Sequence, residues 1–194
     1  FIRRTAVDGV SASKYIRRAV NDYRTPVAWP TGPGGPTKAA EDLRSVAGLI
    51  NSNFPARVYY ISQGGFDTHF GQKGAHPGLM KEWSEAIKAF HDDLVRLKQD
   101  HRVLMLTFSE FGRRVKENFS QGTDHGVAGP VFVYGTPVAG GVVGDHPSLT
   151  DLDKGDLKPA IDFRSIYAGI ARDWIGVDPA KVIDGEFTPL SLLG

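Results

Sequence analysis

The sequence predicts an α/β fold, a mostly parallel sheet flanked by helices. Three observations carry that expectation. Two short apolar runs, Arg57–Ser62 (RVYYIS) and Arg102–Phe108 (RVLMLTF), read as strands, the second long enough to be buried on both faces of a sheet. Between them, residues 78–99 place Leu79, Trp83, Ile87, Phe90, Leu94 and Leu97 on one helical face. The result is a β-loop-α-β unit, whose crossover is expected to be right-handed. Polar, glycine-bearing clusters also fall at or near strand ends, where ligands collect in open parallel sheets.

Taken in order, residues 11–23 set Tyr15, Ile16, Ala19, Val20 and Tyr23 at helical spacing, with Ser11 or Ser13 available as N-cap. Thr25–Thr37 (TPVAWPTGPGGPT) holds four prolines and three glycines, and neither helix nor ladder is expected to persist there. A helix resumes at Pro36/Thr37 and runs to about Asn53, with Ala40, Leu43, Val46, Ala47 and Ile50 apolar. After the 57–62 strand comes a loop, Gly64–Pro77, with four glycines, and then the long helix. Beyond the 102–108 strand, Pro130–Tyr134 reads as a third strand and Val138–Val143 as a short hairpin or edge element. Residues 163–175 form a last amphipathic helix, and Asp178-Pro179 opens a further turn as N-cap and N1. There is no internal repeat. The expected division is an N-terminal helix and Pro/Gly-rich linker over 1–36, followed by an α/β domain over 37–194.

Composition excludes several function classes. The chain has 194 residues, 41% hydrophobic and 10% aromatic, which is ordinary globular composition. With 23 Lys plus Arg against 22 Asp plus Glu, the formal charge is +1. Nucleic acid and anionic membranes are therefore not expected as main partners, because counterion-driven binding needs a concentrated basic surface. Without cysteine there are no disulfides, thiolate catalysis or Cys-based zinc sites. Nothing approaches the roughly 20 apolar residues of a membrane helix. Residue 1 is Phe, so the N-terminus is expected to be processed, truncated or unobserved. Arg3-Arg4 and Arg17-Arg18 resemble twin-arginine export signals, but neither precedes an apolar run.

Three clusters can carry chemistry. In Gly64-Gly-Phe-Asp67-Thr-His69, with Gln72 and His76 beyond, an oxygen and a nitrogen ligand stand two residues apart. On extended backbone such a pair points the same way, as a shared metal requires. Turn chemistry, with Asp67 in an Asx-turn, is the competing explanation. In Thr107-Phe-Ser109-Glu110-Phe-Gly-Arg113-Arg114, Arg113 can offer a bidentate fork to an anionic substrate. The same string also matches a capping box from Thr107 to Glu110, with Arg114 a surface charge. In Gly122-Thr-Asp124-His125-Gly126, a carboxylate and an imidazole suit Zn²⁺ or Mn²⁺ if the backbone bends, which the glycines allow. His91 and His101 read as exposed, and His146 as a solvated loop residue or a late ligand.

At GGFDTH, TFSEFGRRV-x-EN, GTDHG-x-AGPVFV-x-G and DFRS-x-Y…W-x-GVDP, the chain resembles the DUF1501 family of bacterial proteins, grouped with the alkaline phosphatase and sulfatase superfamily. The resemblance runs from about residue 40 to the end. It implies an alkaline phosphatase-like α/β fold with a two-metal site at its strand ends, holding zinc, manganese or similar divalent ions. The superfamily's Asp-His metal pair before a glycine maps onto Asp124 and His125, and its earlier Asp and His onto Asp67 and His69. That earlier pair is spaced more widely in phosphatases, so His76 rivals His69. The superfamily's nucleophile lies in an N-terminal half that nothing in residues 1–60 resembles. The resemblance therefore implies the C-terminal portion of a longer protein, periplasmic or exported, inactive by itself and partnered by that missing half or by a second copy.

The expected function is metal-dependent hydrolysis of a small anionic phosphate or sulfate ester. Arg113 would steady the anion and Glu110 would orient a ligand histidine, while Asp67, His69, Asp124, His125 and His76 supply ligands. The alternative is a non-catalytic exported or cell-surface protein that keeps the fold without the chemistry.

Overall fold

The structure, a computed structural model, describes residues 2–194, with side chains from residue 9 onward. Arg3 and Arg4 thus lie outside the described side chains. The chain forms two units, and their boundary is not at residue 36: the first takes the chain up to Asp67 together with Lys73–Asp100, the second takes Thr68–Gln72 and His101–Gly194.

In the first unit, helix α1 (Ile2–Asp22) begins earlier than the periodicity alone suggests. The Pro/Gly-rich segment that follows does carry a ladder, contrary to expectation. Strands β1 (Thr31–Gly32) and β2 (Gly35–Pro36) pair antiparallel, Thr31 with Pro36 and Gly32 with Gly35. Two residues per strand make few donor demands, and Gly35 supplies the positive φ (118°) of the tight turn. Helix α2 (Lys38–Asn51) is capped by Thr37, whose side chain accepts from the Ala40 amide. It buries Ala39, Ala40, Leu43, Ala47 and Ile50, the expected face. Tyr15 on α1 donates to the Ser52 carbonyl at 2.5 Å, fixing α1 against the end of α2.

Residues 57–62 are not a strand. Among the described residues no ladder includes them, and Val58 and Tyr60 are 77% and 73% exposed. Helix α3 (Gln72–Arg96) starts six residues before the expected 78, taking in Gly74 and Pro77, which read as loop. It tolerates Pro77 near its start, losing the one hydrogen bond that nitrogen cannot donate. Its buried face holds Ala86, Ile87, Ala89, Phe90 and Leu94, plus a charged residue, Asp93, with no exposed surface. Asp93 is satisfied there: Tyr23 and Thr25 donate to its carboxylate at 2.7 Å each, and Arg96 at 2.9 Å. Burial, reinforced by Asp93, pushes the Tyr23 hydroxyl up to about 12.

The second unit contains the other ladders, all two-stranded. Strand β3 (Met105–Leu106) pairs antiparallel with β6 (Val133–Tyr134), and β4 (Gly112–Glu117) pairs antiparallel with β5 (Thr123–Gly126). Among the described residues every pairing is antiparallel, so the expected parallel sheet is not among them. The apolar runs at 102–108 and 130–134 do find each other, but only through two residues each. Val138 makes a single bridge to Leu193 in place of a 138–143 hairpin. Helix α4 (Phe163–Gly169) is capped by Asp162 and passes into a π-helix over Ile170–Ile175, so the predicted 163–175 element is helical with two geometries. Asp178 caps a 3₁₀ turn at Pro179–Lys181 through the Ala180 amide, as its sequence predicts. Among the described residues no helix is long and apolar enough to cross a membrane.

Candidate metal centre

The site lies wholly in the second unit and is built on the β4–β5 hairpin. Register sets Gly112 against Gly126 and Arg113 against His125, with an irregularity before Glu117 meets Thr123. The connecting turn closes on Asn118, whose amide donates to the Gly122 carbonyl at 2.9 Å. The Asn118 side-chain oxygen accepts from the Ser120 and Gly122 amides at 2.9 and 3.1 Å, an Asx-type closure.

The segment 68–72 docks on this turn. Gly71 donates to the Ser120 carbonyl at 3.0 Å and Gln72 to that of Gln121 at 2.9 Å. Thr123 donates to the Gln72 side chain at 3.0 Å. Asn118 Nδ2 donates to the His69 carbonyl at 2.9 Å. The approach requires glycine at 122, since a Cβ there would stand 2.3 Å from the His69 carbonyl carbon and 2.6 Å from the Thr68 oxygen. Thr68 is buried beneath, only 7% exposed.

This docking brings together two histidines 56 positions apart. His69 Nε2 and His125 Nε2 are 3.1 Å apart, with ring centroids at 4.7 Å. Phe111 stacks on His125 at 3.7 Å, the two ring planes nearly parallel at 6°. The Asp124 carboxylate stands 3.7 Å from the other ring nitrogen of His69, Nδ1. It also accepts from Asn118 Nδ2 at 3.3 Å. A carboxylate near one ring nitrogen, with the other ring nitrogen turned toward a second imidazole, is an arrangement from which a histidine can bind a metal.

The donors fit a borderline divalent ion. Zinc holds imidazole nitrogens at about 2.0–2.1 Å. Two nitrogens 3.1 Å apart then subtend roughly 100° at a shared ion, within the range of tetrahedral and octahedral coordination. Nitrogen donors favour zinc and its transition-metal neighbours over calcium or magnesium.

The other predicted residues are placed differently. Asp67 is exposed, two residues before His69 along the chain and at the end of a first-unit segment. His76 belongs to α3 in the first unit, where its ring meets Phe66 edge-on at 5.8 Å. The Arg113 guanidinium donates to the Thr123 carbonyl and lies 5.0 Å over Phe111, so it braces the hairpin. Glu110 is exposed in the bend before β4. Arg114 pairs with Asp156 at 3.5 Å, and His146 bonds the neighbouring Pro147 carbonyl at 2.8 Å. A separate cavity of about 480 Å³, lined by Ala168, Ile183, Glu186 and Phe187 among others, includes none of the predicted site residues. Asn118 and Phe111 contact the site yet carry no chemical signature in sequence.

No curated protein and no solved structure gives a significant match. The family model described as protein of unknown function (DUF1501) matches residues 54–186, the span that contains both histidines, Asp124, Asn118 and the β4–β5 hairpin. That match covers more than half of the chain, and the chain belongs to the DUF1501 family.

Proposed function

We propose that this protein binds a divalent transition-metal ion at His69 and His125 and uses it in hydrolysis of a phosphate or sulfate ester. The observation carrying the proposal is the 3.1 Å approach of the two Nε2 atoms from distant parts of the sequence. Asp124, expected from the sequence as a direct ligand, is assigned to the orientation of His69 through Nδ1. Phe111 limits the tilt of the His125 ring by stacking on it. A bound ion would neutralise charge growing on an ester oxygen. Both imidazole rings are accessible from solvent, so an ester in solution can reach them. An alkaline phosphatase-like α/β sheet and an exported location belong to the same proposal, supported by the motif resemblance.

A non-catalytic metal-binding scaffold is the second reading. It is favoured by Arg113, whose guanidinium is engaged by Thr123 and Phe111 instead of facing a substrate anion.

Elemental analysis after equilibration with zinc or manganese tests the first step. About one ion per chain is expected, lost in His69→Ala and His125→Ala. A wild-type chain that takes up neither metal sinks both readings. Turnover of aryl phosphates and sulfates by the zinc-loaded protein, abolished in His125→Ala, separates catalysis from scaffold.

A further inference from the structure

We propose that Asn118 is the positioning residue of this centre, a clamp that sets the distance between the two imidazoles. The role of that distance in holding a metal rests on the reading above; the clamp itself rests on hydrogen bonds.

One side chain makes four of them, of both polarities. Its Nδ2 faces two acceptors, the His69 carbonyl at 2.9 Å and the Asp124 carboxylate at 3.3 Å. Its Oδ1 faces two donors, the amides of Ser120 at 2.9 Å and Gly122 at 3.1 Å. Those partners fix which end of the amide is nitrogen, because the reverse orientation would set oxygen against two oxygens. Only a carboxamide meets the set. An aspartate would keep the bonds to Ser120 and Gly122 but turn a negative oxygen toward the His69 carbonyl and the Asp124 carboxylate.

The clamp also has the right connectivity. Through Oδ1 it closes the hairpin turn leading into β5, which carries His125. Through Nδ2 it holds the backbone of His69 itself and the carboxylate beside the His69 ring. Other tethers, Gly71 to Ser120, Gln72 to Gln121 and Thr123 to the Gln72 side chain, hold the segment two and three residues beyond His69. The Asn118 tether acts at His69 itself.

The test uses the full chain, isotope-labelled and metal-free, followed by zinc titration. In the wild type, a scalar coupling across the hydrogen bond from Asn118 Nδ2 to the His69 carbonyl carbon is expected, as is an Overhauser contact between the His69 and His125 rings. Asn118→Asp is expected to keep cross-strand contacts between Gly112 and Gly126 while losing the ring-to-ring contact. Its zinc affinity should fall about 10–100-fold, as for other groups that orient metal ligands. A variant retaining both the ring contact and wild-type affinity overturns the clamp. Should the variant lose the cross-strand contacts as well, the wild-type coupling decides, and its absence overturns the proposal. If the ring contact depends on Asn118 but the wild type takes no zinc, the clamp stands and the metal reading falls.

Discussion

Asp93 presents a carboxylate with no exposed surface to three donors, Tyr23, Thr25 and Arg96, and Arg96 also donates to the Tyr23 hydroxyl at 3.1 Å. Removing the anion strands a guanidinium and two hydroxyls in a place shaped for it. Asp93→Ala is expected to destabilise the first unit by about 3–5 kcal/mol, read from urea unfolding. The same network has an alkaline signature. Tyr23 ionises at about 12 when folded against 10 when free, so folding favours its protonated form. Stability from this group is complete below pH 10 and drains away between 10 and about 12. Denaturation midpoints measured across that window should fall, and Tyr23→Phe should flatten this component of the decline. Asp162 works with the opposite sign. Hydrogen bonds from Arg164, side chain and amide, hold its carboxyl down at about 2 against an ordinary 3.8. Its cap on α4 is therefore present above the ordinary value and lost as pH falls toward 2. Protection factors of the amides at 164–169, taken relative to intrinsic exchange at each pH, should fall across that acid window, and Asp162→Ala should show the low protection already at neutral pH.

Among the elements, the β4–β5 hairpin depends on a close backbone approach. A Cβ on Gly112 would lie 1.7 Å from the Ala128 carbonyl oxygen, and no side-chain rotation relieves a clash with backbone. Gly112→Ala should cost about 1–3 kcal/mol through forced displacement, seen as faster amide exchange across 112–126. Element by element, legibility in the sequence followed how local the cause was. The cap at Thr37 and the apolar spacing from Ala40 to Ile50 lie within α2 itself, and that helix appears nearly where expected. So does the capped turn at Asp178-Pro179. Residues 57–62 have strand-like composition, but a strand also needs a neighbour, and composition does not report one. The run 102–108 has its partner some thirty positions later, and the pair meets as Met105–Tyr134 and Leu106–Val133, antiparallel and brief. The centre divides the same way. His69 and His125 are visible because imidazole chemistry is written in the residue name. Asn118 acts only because a turn and a docked segment surround it with the right partners. Asp124, read as a ligand, faces Nδ1 of His69 because its side chain diverges from that of adjacent His125 on the strand.

Over the whole chain, buried apolar residues are unevenly shared. The first unit holds Tyr23, Leu43, Ile50, Ile87, Phe90 and Leu94, along with most of the buried alanines. The buried apolar residues of the second are Ala168, Ala171 and Leu192, while Phe108, Phe119 and Phe132 are exposed. Since burial of large side chains supplies most folding free energy, at about 1.5–3 kcal/mol each, the second unit should open first. Native-state hydrogen exchange should show amides of 101–194 reaching full exchange at lower denaturant than those of α2 and α3, and a single cooperative transition for both would contradict this. The chain leaves the first unit at residue 68, gives five residues to the second, returns for 73–100, and leaves again. That itinerary makes the protein indivisible as a genetic part. A gene fragment encoding 101–194 would inherit His125, Asp124 and the Asn118 turn but not His69. A fragment ending at 100 would keep His69 with nothing to dock against. No single cut separates the two units, so the histidine pair can be transplanted, fused or recombined only with the long helix α3 carried along between its halves.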